Sequence, residues 1–337
     1  MNKLLVSAAI LFLLISPVAA QDAADKDKLK IVNGEVISKY QAGKFDDALK
    51  SAKIALSLTL AIYGAEHIET AVSYANVGEI YRVKLKYRES ADNLQLALAI
   101  YQKDLRRNGP AIAKTLDSLG TVLTLDKRQA EAEPIFTQAV ANAEKIFGNE
   151  ARQTLPSLKT LTDFYIYTKQ YDRADEVFLK RYLIHYVLAQ KKDTEGIGDV
   201  SDDRHCYMSQ HFKGEDRNLR AKAFNEKVEA QRIARFGEEP LVKPGNTIRG
   251  GVINGKALSL PKPPYPAAAR SSRASGMVSV KVVIDENGKV ISAKAFCGNP
   301  VFFAETEAAA MKAKFSPTSL GGITVKVSGM IIYNFVP

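Results

Sequence analysis

Four side chains able to bind metal fall within seven residues of this 337-residue chain: His205, Cys206, Met208 and His211. Imidazole and soft sulfur ligands suit copper or zinc. Their spacing matches no tight ligand motif. The preceding stretch KKDTEGIGDVSDD, residues 191–203, has the polar, glycine-containing composition of a loop. The block reads as a solvated loop with an incidental or disulfide-bonded cysteine, so no metal or cofactor is assigned. Catalytic groupings are sparse too: the chain has no nucleophile elbow, phosphate loop or HExxH motif. Asp285 and Glu286 sit in an Asp-Glu-Asn-Gly turn. His67 and His185 lie on helical segments and read as capping or packing residues. These observations point to binding and away from catalysis.

The remaining chemistry belongs to the backbone. Ile323 to Pro337, ITVKVSGMIIYNFVP, reads as a terminal strand with Val325, Val327, Ile331, Tyr333 and Phe335 on one side. An unpaired strand edge presents N–H and C=O groups that a foreign strand can pair with. The expected docking edge is Thr324, Val325, Lys326, Val327, Ser328, Gly329, Met330, Ile331 and Ile332. Lys326 either offers charge to a ligand or guards the edge against aggregation.

The elements that must position this strand can be read upstream. Pro263-Pro264-Tyr265-Pro266 is a stiff extended entry to a short helix over residues 267–272. Val278, Val280, Val282 and Ile284 alternate with Ser279 and Lys281, the pattern of a half-buried strand. Asp285 to Gly288 makes a hairpin turn into a return strand over residues 289–295. Asn299 and Pro300 start a second helix, expected to run to about Lys314. Two helices on one face of a three-stranded antiparallel sheet is the compact arrangement for residues 250–337.

Residues 27–190 repeat with a 42-residue period. Phe45, Tyr87, Gln129 and Tyr171 share a register. So do Ala48, Ser90, Ala132 and Ala174, and so do Val77, Leu119 and Leu161. Small residues at fixed positions imply stacked helix pairs that approach closely. A strong break is expected at Arg106-Arg107-Asn108-Gly109-Pro110. Ser73, Thr115 and Ser157, with Asn76, Ser118 and Thr160 three residues further on, share one helix face. They read either as a ligand groove or as solvated positions. Residues 191–249 lose the register and read as a linker with helical composition over 218–236, and linker-like sequence continues to Lys262.

The amino-terminal 20 residues read as an export signal: Lys3, an apolar run from Leu4 to Ile15, Pro17, then Val18-Ala19-Ala20 before cleavage. If the signal is not cleaved, it would be a membrane anchor. Either way the mature chain is expected outside the cytoplasm, in the periplasm. There Cys206 and Cys297 are available for a bridge, although sequence alone does not fix their separation. Hydrophobic residues at 46% and charged residues at 25% exclude a largely disordered chain. Most of the net charge of +10 lies beyond residue 240. Nucleic acid is not an expected partner, because an aromatic-basic stacking pattern is missing.

Two resemblances follow from these residues. Tyr63 to Tyr101, YGAEHIETAVSYANVGEIYRVKLKYRESADNLQLALAIY, resembles the tetratricopeptide repeat in its kinesin-light-chain form. The resemblance implies an all-α solenoid whose concave face binds a peptide or protein, with the Asn76 position holding ligand backbone. The strings PPYPAAAR, SGMVSVKVVIDENGKV and AKFSPTSLGGITVKVSGMIIYNF resemble the C-terminal domain of TonB-family energy transducers. That resemblance implies a small α+β domain whose last strand accepts a short peptide, the TonB box, from an outer-membrane transporter. Another envelope protein is the alternative partner. A full transducer carries a long proline-rich spacer between anchor and receptor domain; this chain does not.

Overall fold

The computed structural model describes residues 17–193, 200–237, 247–252, 257–271, 273–320 and 323–336. The expected export signal falls mainly outside the described residues, up to residue 16. Among the described residues no helix is long and apolar enough to cross a membrane. The chain divides into two compact units, one ending at Lys169 and one running from Gln170 to Pro337.

The first unit is helical: α1 (Pro17–Gln41), α2 (Phe45–Tyr63), α3 (Ile68–Val83), α4 (Tyr87–Tyr101), α5 (Leu105–Leu125), α6 (Gln129–Phe147) and α7 (Leu155–Tyr167). The 42-residue register has a direct structural meaning, because Phe45, Tyr87 and Gln129 are the first residues of α2, α4 and α6. Ala48, Ser90 and Ala132 are fully buried three residues later. Their size matters because helices meet closely. A Cβ on Gly78 would lie 2.9 Å from Leu94 Cγ, and one on Gly120 would lie 2.8 Å from the Phe136 ring. The Ser90 hydroxyl also donates to the Gly78 carbonyl at 2.8 Å.

The turns between paired helices repeat as well. Leu85, Lys127 and Lys169 adopt positive φ of 58°, 63° and 59°. In the first two turns the next amide reaches back five residues, from Lys86 to Tyr81 O and from Arg128 to Leu123 O. This bonding satisfies the carbonyls left open at a helix end.

The break expected at Arg106–Pro110 lies earlier, in a 3₁₀ turn over Gln102–Asp104, and residues 106–110 belong to α5. Asp104 accepts from the Arg107 amide at 3.0 Å and caps α5, while Asn108 donates to the Tyr101 carbonyl at 2.9 Å. Gly109 makes room for Ile146, which a Cβ would approach to 2.4 Å. Capping and packing together keep the segment helical despite Pro110.

The second unit opens with α8 (Tyr171–Gln190), α9 (Val200–His211) and α10 (Gly214–Phe236). The solvated loop expected around residues 205–211 is therefore a helix. Its buried residues are Val200, Arg204, Tyr207 and Met208, the spacing of one helix face. Arg204 disguises that stripe. Its guanidinium lies 3.6 Å from the Phe224 ring centroid and 3.3 Å from the Asp175 carboxylate.

The strands are β1 (Thr247–Val252), β2 (Ala257–Ser259), β3 (Gly276–Ile284), β4 (Val290–Cys297), β5 (Lys314–Phe315), β6 (Thr318–Leu320) and β7 (Ile323–Phe335), with helices α11 (Ala267–Ser271) and α12 (Phe303–Met311). β3 lies between β4 and β7, antiparallel to both. This is the expected three-stranded core, extended by β1 and β6, which both pair with β7; β2 and β5 form a separate pair. Val278, Val280, Val282, Phe302 and Ile331 are buried together. At the β3–β4 turn, Gly288 has φ 82°, and the Asp285 carboxylate accepts from the amides of Asn287 and Lys289.

The second face of β3 is not open to solvent as a half-buried strand would be. Ser279 is fully buried, and its Oγ lies 3.3 Å from His205 Nε2 of α9. Lys281 pairs with Asp202 of the same helix at 3.0 Å. A disulfide joins Cys206 of α9 to Cys297 of β4, with Cα atoms 5.3 Å apart. Helix α9 thus covers the face opposite the apolar core.

Candidate functional site

The expected docking edge, Thr324 to Ile332, lies wholly within β7. Toward β3, Val327, Ser328 and Met330 pair with Ile284, Val283 and Lys281. The same three residues pair on their other side with Ile248, Arg249 and Val252 of β1, while Lys326 pairs with Thr247. Thr324 and Val325 pair with Ser319 and Thr318 of β6. The margin expected to be free is therefore filled by the chain itself over Thr324–Met330, and β1 is the terminal strand on one side of the sheet, with β4 on the other. The physical reason is the hazard of a long open edge, whose ladder groups are satisfied once another segment lies down on them. β1 runs parallel to β7 and falls within the segment read as linker.

The helical unit contains a recess of about 680 Å³ whose lining includes Arg82, Lys114, Asp117, Ser118, Ser157 and Thr160. Three of the six expected groove residues meet here. Ser157 donates to Asp117 Oδ2 at 3.0 Å, and Thr160 donates to Asp117 Oδ1 at 2.8 Å. Ser118 is half-buried beside them. Ser73, Thr115 and Ser157 are buried, so the row read as an open or solvated face is largely closed. The Thr115 hydroxyl donates to its own helix at Ala111 O, 2.7 Å away. Asn76 is exposed but is not among the lining residues.

Sequence reasoning missed Asp117. Burial raises its carboxyl above the ordinary aspartate range, opposed by the hydrogen bonds from Thr160 and Ser157. Ala75 and Lys159 stand one period to either side, so no repeat pattern marked it. A carboxylate held by two hydroxyls, with cations at the rim, can recognise polar groups of an extended ligand.

The side chains first weighed for metal binding have other partners. His205 meets Ser279 and the Phe296 ring, Cys206 is bridged, Met208 is buried and His211 packs on Tyr171 and Tyr207. His67 Nδ1 accepts from the Glu69 amide at 3.2 Å and caps α3.

Two segments of the chain match known families. Residues 261–337 match the family model described as Gram-negative bacterial TonB protein C-terminal, and residues 36–103 match the tetratricopeptide repeat. Both are interaction domains. Similar solved structures include a putative kinesin light chain of Podosopora anserina with nearly identical TPR-like repeats. It is 18% identical, covers 62% of this chain and 97% of that chain, and has a TM-score of 0.47. A structure of a substituted form of the same protein is 18% identical, covers 61% and 95%, and has a TM-score of 0.48. BtubC (BKLC) from P. vanneervenii is 15% identical, covers 68% and 96%, and has a TM-score of 0.47. No curated protein matches the chain.

Proposed function

We propose that this chain is an exported, periplasmic protein-binding protein that joins two partners. One occupies the recess around Asp117. The other is an outer-membrane transporter, an extended segment of which adds as a strand to β7, in the manner of energy-coupled transport across the outer membrane. The observation that carries this reading is the parallel pairing of β1 with β7 from Lys326 to Met330. A margin that holds one extra strand has its ladder groups aligned to hold another of the same direction. The TonB-type match over residues 261–337 agrees with a transporter as the source of that strand.

The test is titration of the full mature chain with a synthetic TonB-box peptide, followed at the backbone amides of Thr324 to Ile332. Shifts are expected in this segment and in Thr247–Val252, the strand that now pairs with it. Their absence at millimolar peptide, in a chain whose β1 has been disabled, removes the transporter from the proposal.

Two observations favour a second reading, a periplasmic scaffold with no role in energised uptake. The margin is already occupied by β1, and α9 covers the other sheet face through the Cys206–Cys297 bridge. Amino-terminal sequencing of the exported protein discriminates further. Cleavage after Ala20 separates the chain from any membrane motor, whereas a retained leader keeps coupling available.

A further inference from the structure

We infer that β1 is an exchangeable in-chain occupant of the strand-accepting margin, so that a partner strand enters parallel to β7 over Lys326–Met330 and only as Thr247–Val252 leaves. The inference rests on the strand-addition reading above and adds to it a direction, a footprint and a competitor.

Three observations carry it. First, the pairing of β1 is interrupted. Among the described residues its partnered positions are Thr247, Ile248, Arg249 and Val252, whereas β3 is paired with β7 continuously from Gly276 to Ile284. Second, its register shifts between Arg249 and Val252, where Gly250 and Gly251 stand. Glycine is a weak strand former because ordering it costs backbone entropy and it packs no side chain. Third, β1 joins the sheet in a different sense from its neighbours. β3, β4 and β7 form an antiparallel set, and β1 alone runs parallel to its partner. The β7–β3–β4 ladder makes its pairings without β1, and Val280 and Ile331 are buried among these strands. The footprint is thus a position outside the antiparallel set.

Tethering gives β1 an advantage over any partner. A segment linked to its site competes at an effective concentration on the order of millimolar. An external strand then binds more weakly by the fraction of time that the margin stands open.

The experiment uses the full mature chain and the double variant Ile248→Pro, Arg249→Pro. Consecutive prolines remove the ladder donor whichever of the two amides faces β7. Two probes are added: a TonB-box peptide, and a free peptide of residues 246–255 of this chain. Hydrogen exchange at Lys326–Met330 is followed throughout, and thermal unfolding confirms that the variant folds. Exchange at these amides is expected to rise in the variant and to fall again with peptide. Both probes are expected to bind the variant at least about ten-fold more tightly than the unaltered chain. A cross-linked Arg249→Cys, Ser328→Cys chain is expected to bind neither.

Binding of the 246–255 peptide alone supports the inference and removes the transporter reading. Equal affinity of both probes for the unaltered and proline chains, or unchanged exchange at Lys326–Met330, overturns the inference. If exchange rises in the variant but neither probe binds, the margin accepts no foreign strand, and both proposals fall.

Discussion

The Cα atoms of Cys206 and Cys297 lie 5.3 Å apart, and the disulfide between them ties helix α9 to the last residue of β4 across 91 positions of sequence. A bridge closing a loop of that length restricts the unfolded chain strongly. Cys297→Ala is expected to lower stability by about 2–4 kcal/mol in urea unfolding without reductant. Reductant added to the unaltered chain should reproduce the loss. If the variant unfolds at the same urea concentration as its parent, α9 is held on the sheet without the bridge.

Gly120 and Gly34 make opposite predictions. A Cβ on Gly120 would lie 2.8 Å from the Phe136 ring, whereas one on Gly34 meets nothing within 4 Å. Gly120→Ala is expected to cost about 1–3 kcal/mol through crowding at the helix contact. Gly34→Ala, in helix α1, is expected to gain about 0.5–1 kcal/mol from better helix propensity. Thermal unfolding of the two variants checks both signs.

Asp117 predicts a pH dependence. Its carboxyl is raised by burial, so the folded chain keeps the proton to higher pH than the unfolded chain does. Stability from this group is fully present below the ordinary aspartate range and falls as pH rises from that range through the raised value. Asp117→Asn should lack this slope. Urea unfolding of both chains between about pH 3 and pH 8 should show the variant gaining on its parent as pH rises, then levelling off. A constant difference across the range means that the carboxylate carries no net burial penalty.

Gly288 cannot be replaced without strain. Its φ is 82°, and an added Cβ would meet the Phe315 carbonyl oxygen at 1.9 Å. Gly288→Ala is expected to destabilise the sheet by about 2–4 kcal/mol, through backbone strain and displacement of β5. Near-ultraviolet circular dichroism during urea unfolding reads this directly.

The array is legible in the sequence because its signal repeats. Phe45, Tyr87 and Gln129 open equivalent helices, and the same small residues are buried behind each. The β3–β4 hairpin is legible because its alternation and its Asp-Glu-Asn-Gly turn are local. Three features are not. Helix α9 has the sequence of a loop because Arg204 occupies a buried position that a hydrophobic residue would ordinarily fill. β1 has the sequence of a linker because Gly250-Gly251 interrupts the strand-favouring Thr247, Ile248 and Val252, and the segment gains its order from a partner about eighty residues away. Asp117 escapes notice because it has no counterpart in the neighbouring repeats. In each case a distant contact supplies what the local pattern lacks.

The left-handed residues Leu85, Lys127 and Lys169 recur at equal intervals, with nearly the same φ each time. A cassette cut between two such points, residues 86–127, starts and finishes in matching backbone geometry. Splicing in a second copy lengthens the array by one full turn-to-turn module without a new junction having to be designed. The array thereby becomes a ruler whose length can be set at the level of the gene.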